Sequence, residues 1–201
     1  RRIAVPGCNV AAVTLALQPG AGLVDVNDVV ATLAVGYSGA GKAMKPHLMA
    51  SEAFESAAPY AVGGTHRHIP EIEQNLLVAG AETPRIAFQP ILVPMSRGIL
   101  ASVTAPYSGD PAALRAAWEA AYADEPFVEL LPEGTWPTTA MVIGSNAALV
   151  QVGYDAHAGR AIAMAAIDNL GKGTAGSAVQ SMNLALGLGE TAGLTAIGTA
   201  P

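Results

Sequence analysis

The chain's one cysteine, Cys8, stands in the run Ile3-Ala4-Val5-Pro6-Gly7-Cys8-Asn9-Val10. A short β-type segment and a Pro-Gly turn lead there into an apolar, Ala/Leu-rich stretch, residues 8–17, which stops at Pro19-Gly20. Read as a helix, this stretch places Cys8 in its first turn, where unpaired N–H groups and the helix dipole favour an anion. A thiol in that position is expected to have a depressed pKa and to be nucleophilic at neutral pH. A lone cysteine is as often a small buried hydrophobe, and position alone leaves both readings open.

The second group is Gly63-Gly64-Thr65-His66-Arg67-His68. In extended backbone His66 and His68 share one face and Arg67 takes the other. Two imidazoles can take and return the proton of a thiol. A structural role is an alternative, and so is a His-x-His metal pair, although His47 is remote in sequence and offers no sensible further ligand. Arg97, in Ser96-Arg97-Gly98 between two β-type runs, suits a bidentate clamp on a carboxylate or phosphate, or a solvated turn. The loop from Asp168 to Gly176 carries Gly171, Gly173 and Gly176 at Gly-x-Gly-x-x-Gly spacing. Without a Lys-Ser/Thr pair or a following βαβ unit it is a weak nucleotide fingerprint. Asn169 at its start suits an amide facing a cofactor, or a plain helix start.

Positioning these groups falls to a chain that alternates in type. Residues 3–5 read as the end of a strand. Further strands are expected at 29–37, 86–93, 99–105, 127–131, 140–144, 148–154 and 160–167. Pro90 marks the second of these as an edge or a bulge. Helices are expected at 8–17, from Pro70 to Leu77, from the Asp110 cap and Pro111 to about Asp124, and at 174–187. Residues 46–56 read as a short helix or an irregular excursion. The fold class is α+β: a mixed, largely antiparallel sheet covered by helices on one face.

Composition narrows the function. The 201 residues, 51% of them hydrophobic, suffice for one core. A net charge of −6 with only 10 basic residues argues against nucleic acid as a partner. No apolar run approaches bilayer length and nothing resembles a signal peptide, so no membrane partner and a cytoplasmic location are expected. One cysteine excludes an internal disulfide framework. The run of residues begins close upstream of Cys8 without an initiator Met, which reads as a piece lacking an N-terminal partner domain.

Several motifs occur together: Pro6-Gly7-Cys8; Ser38-Gly39-Ala40-Gly41; His66-Arg67-His68-Ile69-Pro70-Glu71-Ile72; Pro94-Met95-Ser96-Arg97-Gly98-Ile99-Leu100; and Ala166-Ile167-Asp168-Asn169-Leu170-Gly171-Lys172-Gly173. In this order, and with Glu125-Pro126-Phe127-Val128, Gly144-Ser145-Asn146 and Gln180-Ser181-Met182-Asn183-Leu184, they closely resemble the N-acetyl-gamma-glutamyl-phosphate reductases of arginine biosynthesis. The resemblance covers nearly the whole chain. It implies a fold like the C-terminal domain of glyceraldehyde-3-phosphate dehydrogenase, with residues 1–201 as catalytic and oligomerisation domain. Residues 174–201 would be a helix and tail that pack on an absent Rossmann domain, and NADP would be held mainly by that domain.

The resemblance makes Cys8 the nucleophile that forms a thioester and the His66/His68 pair the acid/base, with His66 favoured because it follows the Gly63-Gly64 turn. Arg97, Arg67 and Ser38 would bind substrate; Asn169 and Gly39 would face the cofactor; no metal is expected. The partners implied are a small-molecule substrate and further copies of the chain, in a dimer or tetramer. Another semialdehyde dehydrogenase of the superfamily, or a self-associating module inactive in isolation, are the alternatives. The chain departs from the family twice. Asn9-Val10-Ala11 stands where Tyr-Pro-Thr commonly follows the cysteine, removing a ring and a hydroxyl near the nucleophile. Gly171 replaces the usual Val, which is expected to loosen its loop.

Overall fold

The computed structural model describes residues 2–198. Helix α1 (Cys8–Leu17) begins directly after Pro6-Gly7, and residues 2–7 form no regular element, so the strand expected at 3–5 is absent. Strands β1 (Val29–Gly36), β2 (Ala58–Pro59), β3 (Ile86–Val93), β4 (Ile99–Pro106), β5 (Val128–Leu130), β6 (Ala148–Asp155) and β7 (Arg160–Ile167) form one sheet in the order β2-β3-β1-β4-β7-β6-β5. The pairs β1·β3 and β5·β6 are parallel; β1·β4, β2·β3, β4·β7 and β6·β7 are antiparallel. The mixed, largely antiparallel sheet read from the sequence is therefore the one observed.

Alternation along the strands decides which face holds the core. Ala31, Leu33, Val35, Ile99, Ala101, Val103, Ala163, Ala165 and Ile167 are buried against α1 (Val10, Val13, Leu17), α3 (Ile69–Val78) and α4 (Pro111–Tyr122). Small alanines on β4 and β7 let α1 lie close to the sheet centre. α1 is locked at its far end: Trp118 Nε1–H donates to the Ala16 carbonyl at 3.0 Å and the Tyr122 hydroxyl to the Leu15 carbonyl at 2.6 Å. Trp118 and Leu17 are fully buried, each contributing about 1.5–3 kcal/mol of hydrophobic stabilisation. A helix pinned there presents its N-terminal turn, with Cys8, at a fixed place.

Two expectations about elements change. Residues 140–144 are not a strand: Thr139–Met141 form a 3₁₀ turn, and Val142 instead packs beneath Leu149 and Ala166. Pro90 pairs with Leu33 in an unbroken register with β1 and lies one residue beyond the two-residue pairing with β2, so β3 is nearly an edge and carries no bulge against β1. The excursion after β1 holds a 3₁₀ turn (Pro46–Leu48) and the one-turn helix α2 (Ala50–Ala53). After β7, a π-turn (Gly171–Ala175) runs into α5 (Gly176–Leu186).

Candidate active site

Gly7 caps α1 without a side chain, and Ala11 N–H already reaches the Gly7 carbonyl at 3.0 Å, so the first-turn N–H groups remain open. Cys8 is half-buried in this turn. The N–H groups of Asn9 and Cys8 and the nearby Arg67 draw its pKa down, but burial outweighs them and pushes the thiol up from its usual value. The depressed pKa expected from helix position is therefore overturned: desolvation of a thiolate costs more here than one helix end returns. The resting group is therefore a thiol.

Two imidazoles share its surroundings. The His68 ring lies against the backbone of Gly7 so closely that a Cβ there would collide with His68 Nε2 and lie 2.6 Å from its Cε1. Any side chain before the cysteine would force the His68 ring out of this place. His66 sits between Tyr60 and Phe88, with ring centroids 5.6 and 4.9 Å away, and meets His68 edge-on at 4.5 Å. Both are buried, and they converge through turns rather than by the extended alternation expected. The His68 N–H donates to His66 Nδ1 at 3.1 Å, leaving the proton of neutral His66 on Nε2. His68 Nδ1 is buried without a hydrogen-bond partner. Burial and then Arg67 hold the His66 pKa below its usual value. Burial, His66 and Arg67 press that of His68 down to about 4. Both rings are neutral at pH 7.

These groups line a cavity of about 600 Å³ with Pro6, Gly7, Asn9, Ser38, Gly39, Arg67, Asn169 and Thr174. Of the residues expected at the site, Cys8, His66, His68, Arg67, Ser38, Gly39 and Asn169 meet there. Arg97 does not line it. Its Nε lies 2.8 Å from Asp168 Oδ2, out of hydrogen-bond alignment, so its charge faces a buried carboxylate. Asp168 organises the strand end. It accepts N–H bonds from Gly144, Leu170 and Gly171 at 2.6, 2.9 and 3.1 Å. Burial raises its pKa, but Arg97 and these N–H groups lower it further, and the net shift is down.

Asn169 is likewise committed within the chain. Its Oδ1 accepts from Gly98 N–H at 2.7 Å and its Nδ2 donates to Ser38 Oγ at 2.9 Å. The loop after it is not loosened by Gly171: a Cβ there would collide with the Ser145 carbonyl, so glycine lets the π-turn close on that residue. Gly173 packs closely on Cys8, since a Cβ would lie 2.8 Å from Cys8 Cβ.

Sequence reasoning missed Tyr60, Lys45, His47 and Leu48, which also line the cavity. Tyr60 carried no local signal. It is 51 residues from Asn9, whose Nδ2 donates to the Tyr60 hydroxyl at 3.1 Å while Cys8 Sγ lies 3.9 Å from Asn9 Oδ1. The clue was Asn9 itself, a polar residue in the first turn of a mostly apolar helix. His47, remote in sequence, is near in space. Among the described residues no group of three or more His, Cys, Asp or Glu could hold a metal ion. No helix there is long and apolar enough to cross a membrane.

Comparison with known proteins gives the geometry its context. Residues 8–169 match the model of the family described as "Semialdehyde dehydrogenase, dimerisation domain". Over its whole length the chain is 60% identical to an N-acetyl-gamma-glutamyl-phosphate reductase of Leifsonia xyli and 59% identical to one of Micrococcus luteus, covering 59% of each. It therefore spans about three-fifths of the length of these relatives, and the resemblance read from the motifs is borne out. Among solved structures it is similar to a probable aspartate-semialdehyde dehydrogenase of Pseudomonas aeruginosa, with TM-score 0.70 and 19% identity over 90% of this chain and 61% of that one. Aspartate semialdehyde dehydrogenase II of Vibrio cholerae gives TM-score 0.67 and 18% identity over the same shares. At that identity the likeness concerns the fold.

Proposed function

This chain belongs to the semialdehyde dehydrogenase dimerisation-domain family, and on that premise we propose that it is the catalytic part of an N-acetyl-gamma-glutamyl-phosphate reductase acting in arginine biosynthesis. The reading is supported most by one observation: the only cysteine, at an open helix N-terminus, shares a cavity with two neutral buried histidines and an arginine. Acyl phosphates call for that set. The Cys8 sulfur attacks the acyl carbon, the carbon–oxygen bond to phosphate breaks with its electron pair leaving on phosphate, and a thioester remains.

The thiol proton passes to an imidazole as the bond forms, since the thiol's pKa is raised and a resting thiolate is disfavoured. His68 is the better placed acceptor, because its ring rests on the residue preceding Cys8 whereas His66 is wedged between Tyr60 and Phe88. His66 orients it from behind. This reverses the preference drawn from the Gly63-Gly64 turn. The open N–H groups of the α1 first turn suit the oxyanion, and Arg67 and Ser38 the polar groups of the substrate.

NADPH, when bound, supplies the hydride that reduces the acyl carbon. This chain fits only the reacting end of such a cofactor. Gly39 and Asn169 line the cavity, but the glycines of 171–176 are packed on Ser145, Cys8 and Asn146 and leave no cradle for phosphates. The nucleotide is held mainly by the portion of the relatives that this chain does not cover.

Acyl transfer is separable from reduction, and it is the test. Incubated with N-acetyl-gamma-glutamyl phosphate, the chain should release phosphate and gain one acyl group on the Cys8 peptide by mass spectrometry, and Cys8→Ala should gain none. Absence of the adduct, or an adduct elsewhere, sinks the reading. Self-association belongs to the same proposal, since the matching family model is a dimerisation domain and a half-buried sheet face carries Leu100, Ile162 and Met164. Sedimentation should give a dimer or tetramer, and a monomer at micromolar concentration would remove that part.

A further inference from the structure

The Cys8 cavity differs in charge from the rest of the molecule. The chain has 16 acidic and 10 basic residues, yet no Asp or Glu lines this cavity, while Lys45, His47, Arg67, His66 and His68 do. Arg67 is near enough to act on Cys8, His66 and His68 alike. Lys45 and His47 reach the cavity from a different segment, the excursion after β1. They are held in a local turn in which Leu48 N–H donates to the Lys45 carbonyl at 3.0 Å. Neither takes part in the acyl-transfer chemistry, and neither forms a salt bridge among the described residues. Two cationic positions on separate walls suit a ligand with two separated negative groups, because one cation cannot neutralise both.

We propose that Lys45, with His47 beside it, is an anion-recognition position that takes a carboxylate of the acyl substrate, while Arg67 serves the anionic end nearer Cys8. The assignment rests on the reading of Cys8 as the nucleophile of an acyl phosphate. It names the specificity-determining residues of that site: a substrate lacking the second anion loses the contact to Lys45.

Two maleimides of one electrophile test it without turnover. N-Ethylmaleimide is neutral and 3-maleimidopropionate carries a carboxylate a short arm from the ring; the same thiolate attacks both, so their rate ratio cancels the Cys8 pKa. In Lys45→Ala the rate of the anionic reagent relative to the neutral one should fall about two- to fivefold, as for one solvent-exposed charge. In Lys45→Glu it should fall further, and both differences should shrink in about 0.5 M salt. Lys42→Ala is the control, since Lys42 is exposed, close in sequence and outside the cavity lining. A ratio unchanged in both Lys45 variants, or lowered equally by Lys42→Ala, overturns the proposal. Because the ratio is read from alkylation, it stands or falls apart from the acyl-adduct experiment: no acyl adduct with a Lys45-dependent ratio removes the reductase reading only.

Discussion

The wall of the cavity that carries Cys8 and the wall that carries Lys45 differ in how much of the molecule holds each in place. On the first, α1 is anchored through Trp118 and Tyr122, Asn169 is bonded at both ends of its amide, and Asp168 gathers three backbone N–H groups. Buried glycine contacts fit the π-turn to Cys8 and His68 to Gly7. On the second, Gly41 to His47 is exposed throughout, and Met44, Met49 and Phe54 are 100%, 60% and 76% exposed. Its backbone turns at Glu55 and Ala61 with φ of 59° and 45°, a conformation L-residues adopt at a cost. Bond making needs a nucleophile and a base held to within fractions of an ångström, whereas attraction of an anion falls off slowly with distance and tolerates a looser support. The difference in build matches that division of labour.

The contrast breaks if the first wall tolerates what the second should. Gly173→Ala sets a methyl 2.8 Å from Cys8 Cβ and 3.3 Å from the Asp168 carbonyl, both on elements that cannot move aside cheaply. It should destabilise the chain by about 1–3 kcal/mol in urea unfolding, the usual cost of overpacking, and change the alkylation rate of Cys8. Met44→Ser, fully exposed on the other wall, should stay within about 0.5 kcal/mol and leave that rate alone. Equal effects from the two substitutions would show that the π-turn is not fitted to the nucleophile.

What was legible in the sequence follows the same line. α1, α3, α4 and six of the strands announce themselves by local composition and caps, as in the Asp110 side chain that accepts Ala112 N–H at 3.0 Å. The meeting of Cys8, His66, His68, Ser38 and Asn169 was legible only because their motifs occur together; no local pattern brings residues 131 apart, such as Ser38 and Asn169, into one hydrogen bond. Arg97 was not resolved by its motif, because an arginine in a turn looks the same whether its partner is a substrate or a buried carboxylate at the end of the neighbouring strand, as Asp168 is after β7. Residues 140–144 misled because a hydrophobic run, Met141 to Ile143, packs as a turn over the sheet as readily as within it. The raised Cys8 pKa could not be read at all, since it is set by burial, a tertiary property.

The first wall also carries a pH dependence. His68 is buried and its pKa is pressed to about 4, against an ordinary value near 6.5, so the unfolded chain binds its proton more readily than the folded one. Stability from this group is therefore complete above about pH 6.5 and lost progressively as pH falls toward 4, where the folded state at last accepts the proton too. Urea midpoints between pH 7.5 and 4.5 should show a loss of roughly 1–3 kcal/mol beyond that of a His68→Gln variant, with His66, shifted in the same direction for the same reasons, supplying part of what remains. A His68→Gln curve parallel to the parent would mean that His68 is not desolvated against Gly7, and the case for it as the proton acceptor would fail with that contact.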